Sequence, residues 1–298
     1  MNRLDKQYQS LLFEVLIHGV QKKDRTGTGT RSVFGQQIKH DMSEGFPILT
    51  TKKVAFKTMV AELKWFLRGD TNIRYLVDNG CNIWNGDAYR AYLKNTQSHY
   101  IKGGDVADQK EFIECIKGDD DFAKEHGELG PVYGAGWRDW DGIDQINNLI
   151  EGIKNDPDSR RHIVSAWNVG ELDKMSLPPC HLMFQCYVVD GELSLMWTQR
   201  SVDVGLGLSF NLASYGLLLL LLCEETGYKP GQLIGSLGDV HIYNNHIKPL
   251  KEQLNRDNVY DLPTIKLSNV DILAGEFDVE LLNYECHPAI KMPLSVGL

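Results

Sequence analysis

Two apolar runs meet at Asp190-Gly191, and this dipeptide constrains the fold more tightly than any other feature of the chain. A two-residue type I′ turn needs φ > 0 at both central positions, which Asp-Gly tolerates, so the flanking residues are predicted to form a hairpin with Val189 opposite Glu192. Counting back along the ladder puts Cys180 opposite Ser201 and next to Arg200, with a shift of one residue if the strand bulges. Pro178-Pro179 keeps the approach to Cys180 out of a helix. A thiol is nucleophilic as thiolate, and a neighbouring guanidinium favours that form and also suits an anionic substrate group. A buried structural cysteine is the competing reading. Adjacent strand residues point to opposite faces, so His181 does not reach the Cys180 thiol and a Cys-His hydrolase is not favoured.

The remaining residues supply a large core for that hairpin, with 42% hydrophobic and 24% charged residues among 298. A formal net charge of −9 disfavours a broad nucleic-acid surface, so an anionic partner must be small and held by a local cluster of cations. The apolar run 217–223 is far shorter than the ~20 residues that span a bilayer, and reads as a buried helix. The N-terminus lacks the apolar stretch of a signal peptide, and the six cysteines form no C-x-x-C pair. A cytoplasmic chain with free thiols and no metal site is expected.

Leu4, Tyr8, Leu11, Leu12, Val15 and Leu16 fall at helical spacing before a stop at His18-Gly19. The residues 24–30 read as a loop, 32–38 as a strand, 54–67 as a helix carrying Glu62, and 162–167 as another strand. A long buried helix follows Asn211, and then a loop over 238–246. The polar stretch 85–128 reads as an insertion with one short helix near 106–116; a mobile lid is the alternative. No linker divides the chain, and strands and helices mix without strict alternation. One α+β domain over 1–298, with an antiparallel or mixed sheet packed by helices, is predicted.

Several polar groups stand out against this frame. Arg160-Arg161 suits phosphate, whose oxygens a planar guanidinium can fork around, or marks a solvated strand start. Arg25 lies in a Gly/Thr loop without the Lys-Ser/Thr ending of a P-loop, and could close on phosphate. Glu62 among apolar helix residues would have a raised pKa suited to proton transfer, or would be an exposed carboxylate. His241 and Tyr243 share one face of an extended segment, to bind hydroxyls or cap a turn.

The chain resembles the thymidylate synthase family nearly end to end. The matching stretches are D-R-T-G-T-G-T (24–30), G-F-P-I-L-T-T-K-K (45–53), E-L-K-W-F-L-R-G-D-T-N (62–72), G-P-V-Y-G (130–134) and D-P-D-S-R-R (156–161). They continue with S-A-W-N-V-G-E-L-D-K-M (165–175), P-P-C-H (178–181), Q-R-S-V-D (199–203), F-N-L-A-S-Y (210–215) and G-D-V-H-I-Y-N-N-H (238–246). The resemblance implies methylation of C5 of deoxyuridine monophosphate (dUMP) with the one-carbon unit of 5,10-methylenetetrahydrofolate. It implies Cys180 as the nucleophile at C6, and Arg25, Arg200 and Ser201 on the phosphate. Arg160 and Arg161 would join them from the partner subunit of a homodimer. Asn211 would read the uracil edge, where cytidylate hydroxymethylase relatives carry aspartate, and His241 and Tyr243 the deoxyribose. Glu62 would organise proton transfer through water, Tyr133 would assist removal of the C5 proton, and Asp203 would contact the pterin. Lys52, Ile83, Trp84, Leu206, Gly207, Phe210 and Val296 would complete the folate side.

The sequence departs from the family pattern at Thr198, where an aromatic precedes Q-R-S, at Gly205 and Ser209, in Asn85-Gly86-Asp87, and in a Gly297-Leu298 tail. These positions cluster on the folate and closing side. A loosened seal there would admit water and give a hydroxymethyl product, whereas the retained Trp84 favours hydride transfer and dTMP. Beside this C5-transferase reading stand a cysteine hydrolase and a nucleotide-binding relative without catalysis.

Overall fold

The computed structural model describes residues 2–97, 108–257 and 260–294. In chain order the elements are α1 (Arg3–His18), β1 (Val20–Lys22), β2 (Thr30–Asp41), α2 (Phe56–Leu67), α3 (Arg74–Asp78), α4 (Asn85–Gln97), α5 (Gln109–Gly118), α6 (Asp120–His126), α7 (Gly134–Arg138) and α8 (Gln145–Asn155). They continue with β3 (Ile163–Ser165), β4 (His181–Val189), β5 (Glu192–Asp203), α9 (Gly207–Thr226), β6 (Lys229–Tyr243), α10 (Ile247–Leu254), β7 (Thr264–Asp271) and β8 (Glu276–Leu282). Six strands form one sheet in the order β1-β2-β6-β5-β4-β3, and β7 with β8 forms a separate hairpin. Among the described strands only β5 and β6 run parallel, and every other neighbouring pair is antiparallel. The predicted α+β class with a mixed sheet is what the chain adopts.

Local rules account for much of this. The Asn2 side chain accepts from the Asp5 N–H at 2.8 Å and caps α1, whose predicted apolar face is buried. Asp190 and Gly191 have φ of 52° and 78°, and Val189 pairs with Glu192 as predicted. A register shift between His181 and Met183 then sets Cys180 beside Arg200 rather than Ser201, and the Arg200 N–H donates to the Cys180 carbonyl at 2.8 Å. The bulge aims the end of β4 without separating the two residues.

Parallel neighbours need a long crossover, and α9 makes it between β5 and β6. Packed against α2, α8 and both strands, α9 is apolar all round. It is long and apolar enough to cross a bilayer by composition, yet most of it is buried inside the molecule. It begins at Gly207, not after Asn211, so Asn211 lies in its second turn.

Two further expectations are corrected. Residues 238–243 are not a loop but the end of β6, with only Asn244–His246 forming a 3-10 turn. Gly238, like Gly235 earlier in β6, reflects close packing: a Cβ at Gly238 would lie 3.0 Å from the Arg200 backbone carbonyl oxygen, and one at Gly235 2.5 Å from the Trp197 ring. The stretch 85–128 holds three helices among its described residues, α4, α5 and α6, rather than one. Phe112, Phe122, Tyr92 and His126 pack their rings together there, so this polar sequence has its own apolar seam. The predicted helix start at 106–107 lies outside the described residues.

Candidate active site

The end of β5, the start of α9, the inner face of α2 and the last described residues of the chain enclose a cavity of about 470 Å³. It brings together Cys180, Glu62, Tyr133, Ser201, Asp203, Asn211, His241 and Tyr243, along with Lys52, Ile83, Trp84, Leu206, Gly207 and Phe210. Ile290, Met292 and Leu294 close one side. Val296 lies outside the described residues.

Cys180 stands at the mouth of β4. Burial pushes its thiol up, while the charges of Arg200 and Arg25 and the Ser201 hydroxyl pull it down and Asp87 adds to the rise. The net direction is up: Arg200 favours the thiolate as expected, but in the isolated chain desolvation outweighs it. Arg200 is nevertheless fixed beside the thiol. Its Nε donates to the Pro179 carbonyl and its Nη2 to that of Pro178, both at 2.9 Å, and its guanidinium lies 5.3 Å from the Trp167 ring centroid. The two prolines thus supply acceptors that orient the arginine as well as stiffening the turn.

Tyr133 holds the same segment from the other side. Its hydroxyl accepts from the Cys180 backbone N–H at 2.7 Å. Its ring stacks on His181 at 4.2 Å, and its backbone sits at φ 28°, a strained value for a tyrosine. His181 is buried, bonded through Nδ1 to the Tyr215 hydroxyl at 2.8 Å, and pushed down to about 3 by burial. It remains neutral and spends its ring on packing. Among the described residues His181 makes no hydrogen bond to the Cys180 thiol, although both line the cavity.

Glu62 projects inward from α2 and is 6% exposed. Burial raises its pKa to about 7, moderated by the Trp84 indole, whose Nε1 donates to Oε1 at 2.8 Å. It is therefore poised to exchange a proton near neutrality. Asp203 is the contrasting carboxylate. Burial works to raise it, but His246, the charge of His241 and the Leu206 N–H outweigh that and hold it below the usual range. Its Oδ1 also accepts from the Gly205 N–H at 2.8 Å. Lys52 donates to the Gly205 carbonyl, and burial pushes its pKa down to about 8 against the pull of Asp203.

Asn211 faces the cavity from α9, with its Oδ1 accepting from Gln199 Nε2 at 3.1 Å. His241 and Tyr243 stand two residues apart on β6 with ring centroids 5.2 Å apart. The cations divide differently. Arg25 is exposed in the turn that Asp24 ties to Thr26 and Gly29, close enough to act electrostatically on Cys180 and Tyr243. Arg160 and Arg161 are exposed and do not line the cavity of their own chain.

Sequence reasoning missed Gln199 and Asp87. Gln199 is 2% exposed and connects Asn211 to the sheet, a role visible only once the bulge and α9 are in place. Asp87 is buried and raised by desolvation, pairs with Arg90 in α4, and acts on the Cys180 thiol. Its spacing from Arg90 was the available signal.

The family pattern described as thymidylate synthase matches residues 6–296. The chain is 50% identical over 295 residues to a thymidylate synthase of Mycoplasma mobile, covering 98% of this chain and 100% of that protein. It is 47% identical over 321 residues to one of Staphylococcus haemolyticus, with 99% and 100% covered, and 49% identical over 288 residues to one of Mycoplasma genitalium, with 96% and 98% covered. The chain belongs to the thymidylate synthase family.

Proposed function

We propose that this cavity methylates dUMP to dTMP through a covalent bond between Cys180 and C6 of the uracil ring. The observation that carries the reading is the convergence of Cys180, Asn211, Glu62 and Asp203 on one cavity with an apolar wall. C5 of uracil is a poor nucleophile. Adding a thiolate at C6 makes the ring an enolate, able to attack an electrophilic carbon from C5. The anionic phosphate, brought beside Arg200, Arg25 and Ser201, stands at the mouth of this pocket. Asn211 takes the O4/N3 edge of the base, and His241 with Tyr243 the deoxyribose hydroxyl.

The remaining wall fits a reduced folate. Trp84, Ile83, Leu206 and Phe210 offer flat and aliphatic surface, and Asp203 is an ionised acceptor facing it. When bound, the folate supplies the one-carbon unit and the hydride. Asp203 and Lys52 hold the pterin side, and Trp84 excludes water from the new carbon on C5. Glu62, exchanging protons near neutrality, relays them by way of water to O4, and Tyr133 assists removal of the C5 proton. The relatives are synthases by name, which favours hydride over water as the nucleophile that completes the reaction.

The working form is a homodimer. Phe34, Tyr187, Val189 and Ile163 expose apolar surface on strands of the main sheet, Phe34 to 85%. Arg160 lies beside β4, the strand that carries Tyr187 and Val189, its carbonyl accepting from Gln185 at 3.3 Å. Arg160 and Arg161, which do not line the cavity of their own chain, are supplied across this face to the partner's phosphate site. The chain acts as one catalytic domain in the cytoplasm, with 85–128 as an insertion that brings Asp87 to the site.

The test is to incubate the enzyme with dUMP and methylenetetrahydrofolate and weigh the products. A methyl gain with dihydrofolate is expected. A hydroxymethyl gain with tetrahydrofolate would identify a hydroxymethylase, and no change in dUMP would refute the reading.

A further inference from the structure

A side-chain amide by itself does not distinguish uracil from cytosine. Uracil offers an acceptor at O4 and a donor at N3, cytosine a donor at N4 and an acceptor at N3. Turning the Asn211 amide over by 180° would exchange its complement from one to the other. Discrimination therefore depends on whatever forbids that flip.

The bonds around Gln199 forbid it in three steps. Trp197 Nε1 donates to Gln199 Oε1 at 3.1 Å, and an indole nitrogen can donate but not accept. Gln199 Nε2 donates to the Ser201 carbonyl at 3.0 Å, and a backbone carbonyl can accept but not donate. Both one-way partners demand the same orientation of the Gln199 amide. Its Nε2 then points at Asn211 Oδ1, 3.1 Å away, so the oxygen of Asn211 must occupy that side. A flipped Asn211 would set one NH₂ group against another in a buried setting, with both donors misdirected.

Trp197 is well fixed for this task. It is fully buried, and its ring lies parallel to Tyr215 at 5.2 Å and 7°. The glycine at 235 leaves room for it, since a Cβ there would approach its ring to 2.5 Å. Gln199 and Asn211 line the cavity, whereas Trp197 is not among its lining residues.

We propose that Trp197 is a specificity-determining positioning residue: its indole N–H, acting with the Ser201 carbonyl, sets the orientation of Gln199, and through it the uracil-reading orientation of Asn211. This rests on the reading of dUMP as substrate. It follows that the preference for uracil draws on the Trp197 donor, two residues from Gln199 along β5, and not on Asn211 alone.

The test compares binding of dUMP and dCMP by the full enzyme and by Trp197→Phe, which keeps an aromatic ring but lacks the N–H. The variant is expected to lose roughly tenfold in dUMP affinity, the scale of an unmet buried hydrogen bond. The dUMP-to-dCMP affinity ratio should fall, while KM for the folate stays within about twofold, since only the base edge is affected. A benzothienylalanine placed at position 197, which keeps the bicyclic shape and removes only the N–H, should behave the same way and covers the case in which Trp197→Phe does not fold. An unchanged dUMP-to-dCMP ratio in the benzothienyl variant would overturn the proposal. Failure of the wild-type enzyme to bind dUMP would overturn the functional reading beneath it.

Discussion

Trp84 Nε1 donates to Glu62 Oε1 at 2.8 Å, joining the apolar wall of the cavity to its one carboxyl group that titrates near neutrality. The indole fixes where the carboxyl points, and its N–H offsets part of the cost of ionising Glu62 away from water. Loss of that donor leaves burial unopposed and the pKa higher. In Trp84→Phe, the limb of the kcat/KM profile set by Glu62 should move to higher pH. An unmoved limb would separate Glu62 from the titration.

Glu62→Gln tests the same group through stability. A carboxyl raised from about 4.5 to about 7 on folding favours the native state fully below the lower value. That advantage is lost as pH rises through the upper one. The glutamine variant should thus match wild type near pH 4 and become more stable by up to about 3 kcal/mol at pH 8. Its kcat should fall by about a hundredfold or more. Denaturant melts across this range, beside steady-state rates, check both halves.

The balance of forces on Cys180 gives a chemical prediction. Because desolvation raises the thiol and the Arg200 charge opposes it, Arg200→Leu should raise it further. Alkylation of Cys180 by iodoacetamide at pH 8 should slow in that variant. Faster alkylation would mean that the arginine shields the sulfur more than it stabilises its anion.

The proposed sharing of the phosphate site across a dimer predicts complementation. An Arg160→Ala/Arg161→Ala double variant and Cys180→Ala should each be nearly inactive as homodimers. Mixing them under conditions that exchange subunits should restore activity, because one site in each hybrid then has an intact cysteine and two intact partner arginines. No recovery in verified hybrids would place those arginines outside the site.

What could be read from the sequence followed from local physics. Asp190-Gly191 forced its turn, the spacing of Leu4 through Leu16 gave α1, and Glu62 stood out because it interrupts an apolar helix face. What could not be read depended on contacts between distant segments. The stretch 238–243 read as a loop because the reason for Gly238, the approach of the Arg200 backbone, comes from another strand. The helices of 85–128 bury rings against one another, which a polar composition conceals. Arg200 was correctly set beside Cys180, but the net effect on the thiol is a contest between burial and charge, and only packing fixes the burial.

The central claim is that Cys180 bonds to the pyrimidine. It is tested most directly by incubating the enzyme with 5-fluoro-dUMP and methylenetetrahydrofolate, then mapping the modified peptide by mass spectrometry. The account predicts a stable adduct of protein, nucleotide and folate on the peptide containing Cys180, absent from Cys180→Ala. An adduct on another residue, or tight nucleotide binding with none formed, would contradict it.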